Sequence, residues 1–368
     1  MDLVADMLLA QLRAEYKSEI TAVRICPEFV NRFTRVPGLG AKRFAYNADR
    51  LLNRLWDYPG LFANGGRQYD LFHIVDHSYA HLAHRLPPKH LIITCHDLDT
   101  FRCVLQPKQE PRSFLFRKMT EYILTGFQKA ARVVCNSAAT KTELLAYNLV
   151  PPERVVVIHN GVHPTCRPDL DPKADSAASS LFGEEPGERL EILHVGSTIA
   201  RKRIDVLLRT FAAVRKEFPE ARLIQVGGSF DQSQIDLIAE LDLSDSITLT
   251  PFLERSILAA VYRRSALVLL TSEREGFGLP LIEAMACGTP AIASDLISLR
   301  EVGADAAEYC PAGDVPTWTK STLRLLTEKT QSPEQWRFRR ARCIAQGASF
   351  SWKENARNLV NLYREVAG

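Results

Sequence analysis

The chain has 368 residues, which suits two domains better than a single core. A hydrophobic fraction of 46% beside 24% charged residues is that of a globular protein, and a net charge of +3 gives no reason to expect a nucleic-acid partner. No uninterrupted run of about 18 apolar residues could span a bilayer. The opening Met1-Asp2-Leu3-Val4-Ala5-Asp6 carries acid where a signal peptide carries base. The eight cysteines stand singly, with no CxxC pair, which argues against a zinc site or disulfide framework and for a cytoplasmic protein.

In chain order, Asp2–Leu12 reads as a helix. Short β-branched runs then read as strands: Ile20–Ile25, Leu71–Val75, Leu91–Thr94, Arg132–Cys135 and Val155–His159. A second series comprises Ile192–Val195, Leu223–Val226, Ala266–Leu270 and Ala291–Ala293. Helical patterns lie between them, among them Ala139–Tyr147, Ile204–Phe218 and Ile257–Arg264. Such alternation predicts an α/β protein with parallel sheets buried on both faces. It breaks over residues 164–190, which are rich in Pro, Ser and acid and read as a linker. The predicted division is 1–163, then the linker 164–190, then 191–348. Residues 349–368 are expected to cross back to the first domain through the amphipathic helix Trp352–Val366.

Residues 1–160 hold 21 Lys+Arg against 15 Asp+Glu. This balance suits an anionic acceptor or lipid headgroups, and equally the ordinary scatter of surface charge. Arg112-Ser113-Phe114-Leu115-Phe116-Arg117-Lys118 mixes base with bulky apolar groups. It is compatible with peripheral contact at an inner membrane, although the start of a core helix is the preferred reading.

Three motifs carry chemistry. The first is Glu275-Gly276-Phe277-Gly278-Leu279-Pro280-Leu281-Ile282-Glu283-Ala284-Met285-Ala286-Cys287-Gly288. An apolar strand leads into it, two glycines permit a tight turn, and Pro280 opens a helix that Gly288 closes. The helix N-terminus suits a diphosphate. Glu275 can reach a sugar, while Glu283 can accept hydrogen bonds from ribose hydroxyls. The second motif runs from His194 to Asp205, where Gly196 and Ser197 end a strand and Arg201, Lys202 and Arg203 precede a helix. Those cations would neutralise a diphosphate leaving group. The third is His96-Asp97, placed directly after the strand Leu91–Thr94, where open α/β sheets bind ligands. Asp97 either orients the His96 ring or caps the following segment. Gly227 closes another strand and either approaches the nucleotide or makes a simple turn. Leu299–Gly303 either lines the base pocket or caps a helix.

These residues resemble glycosyltransferase family 4 of the GT-B superfamily. The resemblance is most specific at the E-x7-E signature Glu275–Gly288. It extends through Val195–Phe211, His96-Asp97, Asn160-Gly161-Val162 and Phe350-Ser351-Trp352. It implies two Rossmann-like domains facing across a cleft, and a retaining hexosyl transfer from a UDP- or GDP-sugar to an unknown sugar or lipid-linked acceptor, with no essential metal. It further implies that Glu275 contacts the transferred sugar and that the backbone of Gly276, Phe277, Gly278 and Leu279 contacts sugar and phosphate. Glu283 would bind ribose, Lys202 the diphosphate, and His96 would lie near the reacting sugar.

The family usually has Gly-Arg where this chain has Gly196-Ser197, so Arg201 or Arg203 is expected to substitute. The family also opens with a strand and a Gly-rich turn, and that strand is expected to be missing here. A nucleotide-sugar-binding protein with impaired turnover is therefore the alternative. Asp97-Leu98-Asp99 and Asp169-Leu170-Asp171 spell the DxD of metal-dependent transferases, but two strand–helix halves fit that class poorly. No GxGxxG follows a strand, which excludes a dehydrogenase.

Overall fold

The structure is a computed structural model that describes residues 2–38, 42–62, 68–183 and 190–368. The chain divides into two compact units. The first comprises Met1–His159 with Trp352–Gly368, and the second Asn160–Ser351.

The first unit holds a parallel sheet of β1 (Phe72–Ile74), β2 (Leu91–Cys95), β3 (Arg132–Cys135) and β4 (Val155–Val157), in that spatial order. Register pairs Ile92 with Arg132 and Cys95 with Cys135. Alternation along the strands supplies two apolar faces. Leu91, Ile93 and Cys95 pack with Phe101, Ile123 and Phe127 on one side. Ile92 and Val134 pack on the other with Leu8 and Leu12 of the helix Asp2–Glu15 and with Leu359 and Val360 of the helix Trp352–Ala367. The C-terminal helix is tied down by polar contacts as well. His73 bridges Tyr363 Oη at 2.6 Å and Thr94 Oγ1 at 2.7 Å, and Arg364 grips Glu19 with two N–H groups.

The predicted strand Ile20–Ile25 is not one. Those residues run as open chain, because a β-branched run forms a strand only where a neighbouring edge accepts it. Among the described residues no strand precedes β1. The preferred reading of Arg112–Lys118 also fails in part. A helix does start there, at Phe114, with Ser113 as its cap, but Phe114 and Leu115 are 75% and 69% exposed. Lys118 and Arg112 lie over the Phe114 and Phe116 rings instead.

The second unit holds six parallel strands in the order β10-β9-β8-β5-β6-β7. They are β5 (Glu191–Gly196), β6 (Arg222–Gly227), β7 (Ile247–Thr250), β8 (Leu267–Leu270), β9 (Ala291–Ser294) and β10 (Glu308–Cys310). The chain starts in mid-sheet at β5, runs outward to β7, then returns to β8 and runs out the other way. The order therefore reverses between β5 and β8, which is where open α/β sheets leave a crevice at their carboxyl ends. Leu193, Val195, Ile224, Val268 and Leu270 fill one face, and Ile192, Leu223, Leu267 and Leu269 the other.

The segment 164–190 is not simply a linker. Pro172–Phe182 forms a helix capped by Asp171, and its Ala174 and Ala178 are buried in the second unit's core. Residues 184–189 lie outside the described residues. No helix among the described residues is long and apolar enough to cross a membrane.

Candidate active site

The two segments flanking the reversal point supply the site of the second unit. After β5, Gly196 leads through a short turn over Ala200–Lys202 into the helix Ile204–Glu217. After β8, the loop 271–278 leads into the helix Leu279–Ala286. Gly278 sits at φ +98° directly before this helix, and a Cβ there would lie 2.5 Å from Leu299 Cδ2. Only glycine lets the loop turn this tightly against its neighbour. Gly227 closes in from β6, where a Cβ would come within 2.2 Å of the Gly196 carbonyl oxygen.

These turns bring Lys202 and Glu275 together, 73 positions apart in sequence. Lys202 Nζ donates to Glu275 Oε1, as does Ser272 Oγ at 2.7 Å. Arg201 Nη1 stands 3.6 Å from Glu275 Oε2 and donates to the Arg274 carbonyl at 2.8 Å. The loops are cross-stitched by Thr271 Oγ1 to the Lys202 carbonyl (2.8 Å) and Ser298 Oγ to the Glu275 carbonyl (2.6 Å). Burial alone would raise the Glu275 carboxyl. Lys202, Ser272 and Arg201 outweigh it and hold the group ionised, below its ordinary value.

Gly196 lies against the Lys202 side chain, with a position for Cβ 3.8 Å from Nζ. Ser197 follows it, and its Cα faces Gly228. Of the two candidate substitutes for the missing arginine, Arg201 is at the site. Arg203 is not: it turns away to a two-point pair with Asp205 at 2.7 and 2.9 Å. Gly276, Phe277, Gly278 and Leu279 form the turn itself. The Phe277 ring is core, edge-on to Phe350 at 5.8 Å, so only its backbone can face a ligand.

Glu283 differs from Glu275. It is buried on the Leu279–Ala286 helix, where Tyr262 Oη donates to its Oε2 at 3.1 Å. Burial pushes its carboxyl up to about 7, against the smaller effects of Tyr262 and Arg255. His194 beneath the site is neutral, lowered to about 4 chiefly by burial, and shares a hydrogen bond with Gln225. Gln225 in turn donates to the Gly196 carbonyl at 2.9 Å.

In the first unit His96 leaves the end of β2, 5% exposed. Its Nε2 lies 2.7 Å from the Val75 carbonyl, so that nitrogen carries the proton and Nδ1 is an acceptor. Burial, then the adjacent His77, lower its pKa to about 4. Val75 therefore orients the ring. Asp97 does not; it caps the next turn by accepting from the Asp99 N–H at 3.0 Å. The DxD aspartates have comparable local tasks. Asp99 pairs with Arg102 at 3.1 Å, and Asp171 caps a helix.

Sequence reasoning missed Ser272, Ser298, Tyr262 and Thr271, which hold the two glutamates and their loops. It also missed His77, whose ring lies 6.4 Å from that of His96. Small polar residues directly after a strand were the available signal for Thr271 and Ser272. Among the described residues no three His, Cys, Asp or Glu side chains are gathered as a metal would need.

Two family models match the chain, one in each half. Residues 5–165 match the model for Glycosyltransferase Family 4, and residues 180–341 that for Glycosyl transferases group 1. A D-inositol 3-phosphate glycosyltransferase of Thermobispora bispora is 32% identical over 253 residues, covering 64% of this chain and 56% of the relative. One from Segniliparus rotundus is 29% identical over 284 residues, covering 74% and 60%. The chain thus spans little more than half the length of these relatives. Among solved structures, HepE of Anabaena in complex with UDP and glucose superposes with a TM-score of 0.68 at 18% identity, covering 84% of this chain and 82% of that one. Sucrose-phosphate synthase of Thermosynechococcus elongatus gives 0.68 at 23% identity, covering 86% and 79%. Both units are Rossmann-like in the sense of that fold. The chain belongs to the GT-B superfamily of glycosyltransferases, to family 4 by its first half and to the group 1 transferases by its second.

Proposed function

We propose that the chain is a retaining hexosyltransferase that takes its sugar from a UDP- or GDP-sugar bound by the second unit. The observation that carries this reading is the Lys202–Glu275 pair, set with Arg201, Gly196 and Gly227 at the point where strand order reverses. A diphosphate placed there meets Lys202, Arg201 and the N-terminus of the Leu279–Ala286 helix. These groups stabilise the charge that grows on the leaving diphosphate, and the reading assigns no essential metal. Glu275, ionised, is placed to hold the transferred sugar, and Glu283 to accept from ribose. Neutral His96, with Nδ1 as an acceptor, receives a hydroxyl of the reacting partners.

The acceptor belongs to the first unit. The relatives' names make a phosphorylated polyol the first compound to try. A role in polysaccharide or glycolipid synthesis at the cytoplasmic face of a membrane is consistent with the exposed Phe114 and Leu115 beside Arg112 and Lys118. Contact of this kind would be peripheral. Sedimentation with anionic vesicles should fall when Phe114 and Leu115 are both changed to Ser.

The deciding experiment is thermal unfolding with UDP, GDP, ADP and their sugars. A ligand at a hundredfold excess over its Kd stabilises by about 2.7 kcal/mol. One nucleotide should give such a shift, and Glu283→Ala should abolish it. No shift with any nucleotide, in a protein that still unfolds cooperatively, sinks the donor site. A shift without transfer to any acceptor favours a nucleotide-sugar-binding protein that does not turn over. Retention itself is read from the anomeric coupling of the product.

A further inference from the structure

Arg54 lies in the helical segment Asn53–Asp57 of the first unit and is buried. It donates to the Ser78 carbonyl and lies over the Tyr79 ring at 5.1 Å. Its Nε is buried with no hydrogen-bond partner. Among the described residues no carboxylate comes within ion-pair distance of it. Asp76 is the acid that acts on it through space, but Asp76 Oδ1 accepts from the Ser78 N–H at 2.9 Å, and Arg50 adds a like charge. Beside it His81 is 1% exposed; its ring leans on the Arg54 backbone carbonyl, and neither ring nitrogen makes a well-aligned hydrogen bond.

An arginine cannot discharge itself by losing its proton, so a buried one without a countercharge is costly to keep. A buried imidazole that has at most a poorly aligned bond to the Arg54 backbone adds to that cost. The two side chains together lack one thing, an oxyanion. A guanidinium presents parallel N–H groups that fit carboxylate or phosphate, and an imidazole N–H can supply a further donor. Tyr79, whose ring Arg54 overlies, is 40% exposed.

The location connects this cluster to the chemistry. Ser78, Tyr79 and His81 lie in the 3-10 turn that follows β1, and His77 at its start has its ring 6.4 Å from that of His96. We propose that Arg54 and His81 form a subsite for an anionic group, phosphate or carboxylate, carried by the acceptor near the hydroxyl that His96 faces. The proposal rests on the transferase reading above.

The test uses the full chain saturated with UDP or GDP, whichever it binds, so that the diphosphate site is filled. Inorganic phosphate, and acetate in a second arm, are titrated by calorimetry against chloride of matched ionic strength. Wild type should bind one oxyanion. Arg54→Met should weaken it at least tenfold. Arg54→Lys should fall between, because lysine keeps the charge but not the fork. Affinity for that nucleotide should stay unchanged in both variants. Preference between the two anions identifies the acceptor's charged group. An absence of binding beyond chloride in wild type, or an unchanged affinity in Arg54→Met, overturns the subsite. Should Arg54→Met fail to fold, an unchanged affinity in Arg54→Lys overturns it instead, and a fivefold loss supports it. Failure of wild type to bind either UDP or GDP would overturn the donor reading on its own, which the first titration step reveals.

Discussion

Lys202 in the second unit and Arg54 in the first are both buried cations near the carboxyl ends of their sheets, and the fold treats them in opposite ways. Lys202 has its countercharge in place, since Glu275 accepts from Nζ and from Ser272. Arg54 has backbone and aromatic neighbours but no ion-pair partner among the described residues. A paired cation leaves the empty protein stable, and the incoming anion must share it. An unpaired cation leaves the empty protein strained, and the incoming anion relieves that strain. The two glutamates of the signature repeat the contrast. Glu275, among cations, is held below its ordinary value, whereas burial raises Glu283 to about 7 against the weaker effects of the Tyr262 phenol and Arg255.

The largest expected effect tests the paired side. Lys202→Ala leaves the buried Glu275 carboxylate with only Ser272 and the more distant Arg201, and loss of one partner of a buried pair typically costs about 3–5 kcal/mol. The double variant Lys202→Met with Glu275→Gln should regain most of that stability, because it removes both charges. Transfer should stay depressed in both, by roughly 100- to 1,000-fold for the lost electrostatic stabilisation. Denaturant unfolding of the three proteins gives the answer. A single variant costing less than about 1 kcal/mol would show that Lys202 is not what compensates Glu275.

Glu283→Gln is next. The folded pKa of Glu283 lies above its unfolded value, so its stability contribution is complete at low pH and is lost as pH rises towards about 7. Above that, wild type carries a penalty that glutamine does not. At roughly 1.4 kcal/mol per pKa unit, the variant should gain about 3 kcal/mol at pH 8 and nothing at pH 4. The same variant should bind nucleotide more weakly, since a ribose that donates two hydroxyls needs an ionised acceptor. An equal gain at both pH values would mean that the carboxyl is not raised.

How much of this was written in the sequence depends on how each part is built. The second unit's candidate site is made of strand ends, turns and helix starts, and these are consecutive in a parallel strand–helix unit. Glu275–Gly288 and His194–Asp205 were therefore readable as strings. Tyr262 reaches Glu283 from 21 positions away on a helix whose pattern is plainly amphipathic, so nothing in it signals a site. β7 and β10 were overlooked because they are short edge strands, half exposed, with no continuous apolar run. In the helix Pro172–Phe182 the cap Asp171 and the early proline are good start signals. The Pro, Ser and acid content around them hid the pattern of small buried residues. His96 was readable because it directly follows a buried strand. Arg54 has no motif at all, because its meaning lies in what is not near it in space.

That gives the smallest expected effect, and the one that separates the two cations most sharply. Arg54→Met removes a buried charge that has no ion-pair partner among the described residues, and it also removes one hydrogen bond to Ser78. A net hydrogen bond is worth about 1 kcal/mol, and relief of the unpaired charge opposes its loss. In a buffer free of phosphate and carboxylate, the variant should therefore unfold within about 1 kcal/mol of wild type, far from the cost at Lys202. In phosphate buffer only the wild type should gain stability, so the gap should widen with concentration as binding linkage requires. A loss above about 3 kcal/mol in the anion-free buffer would show that Arg54 is already balanced inside the fold. The contrast between the two cations would then collapse.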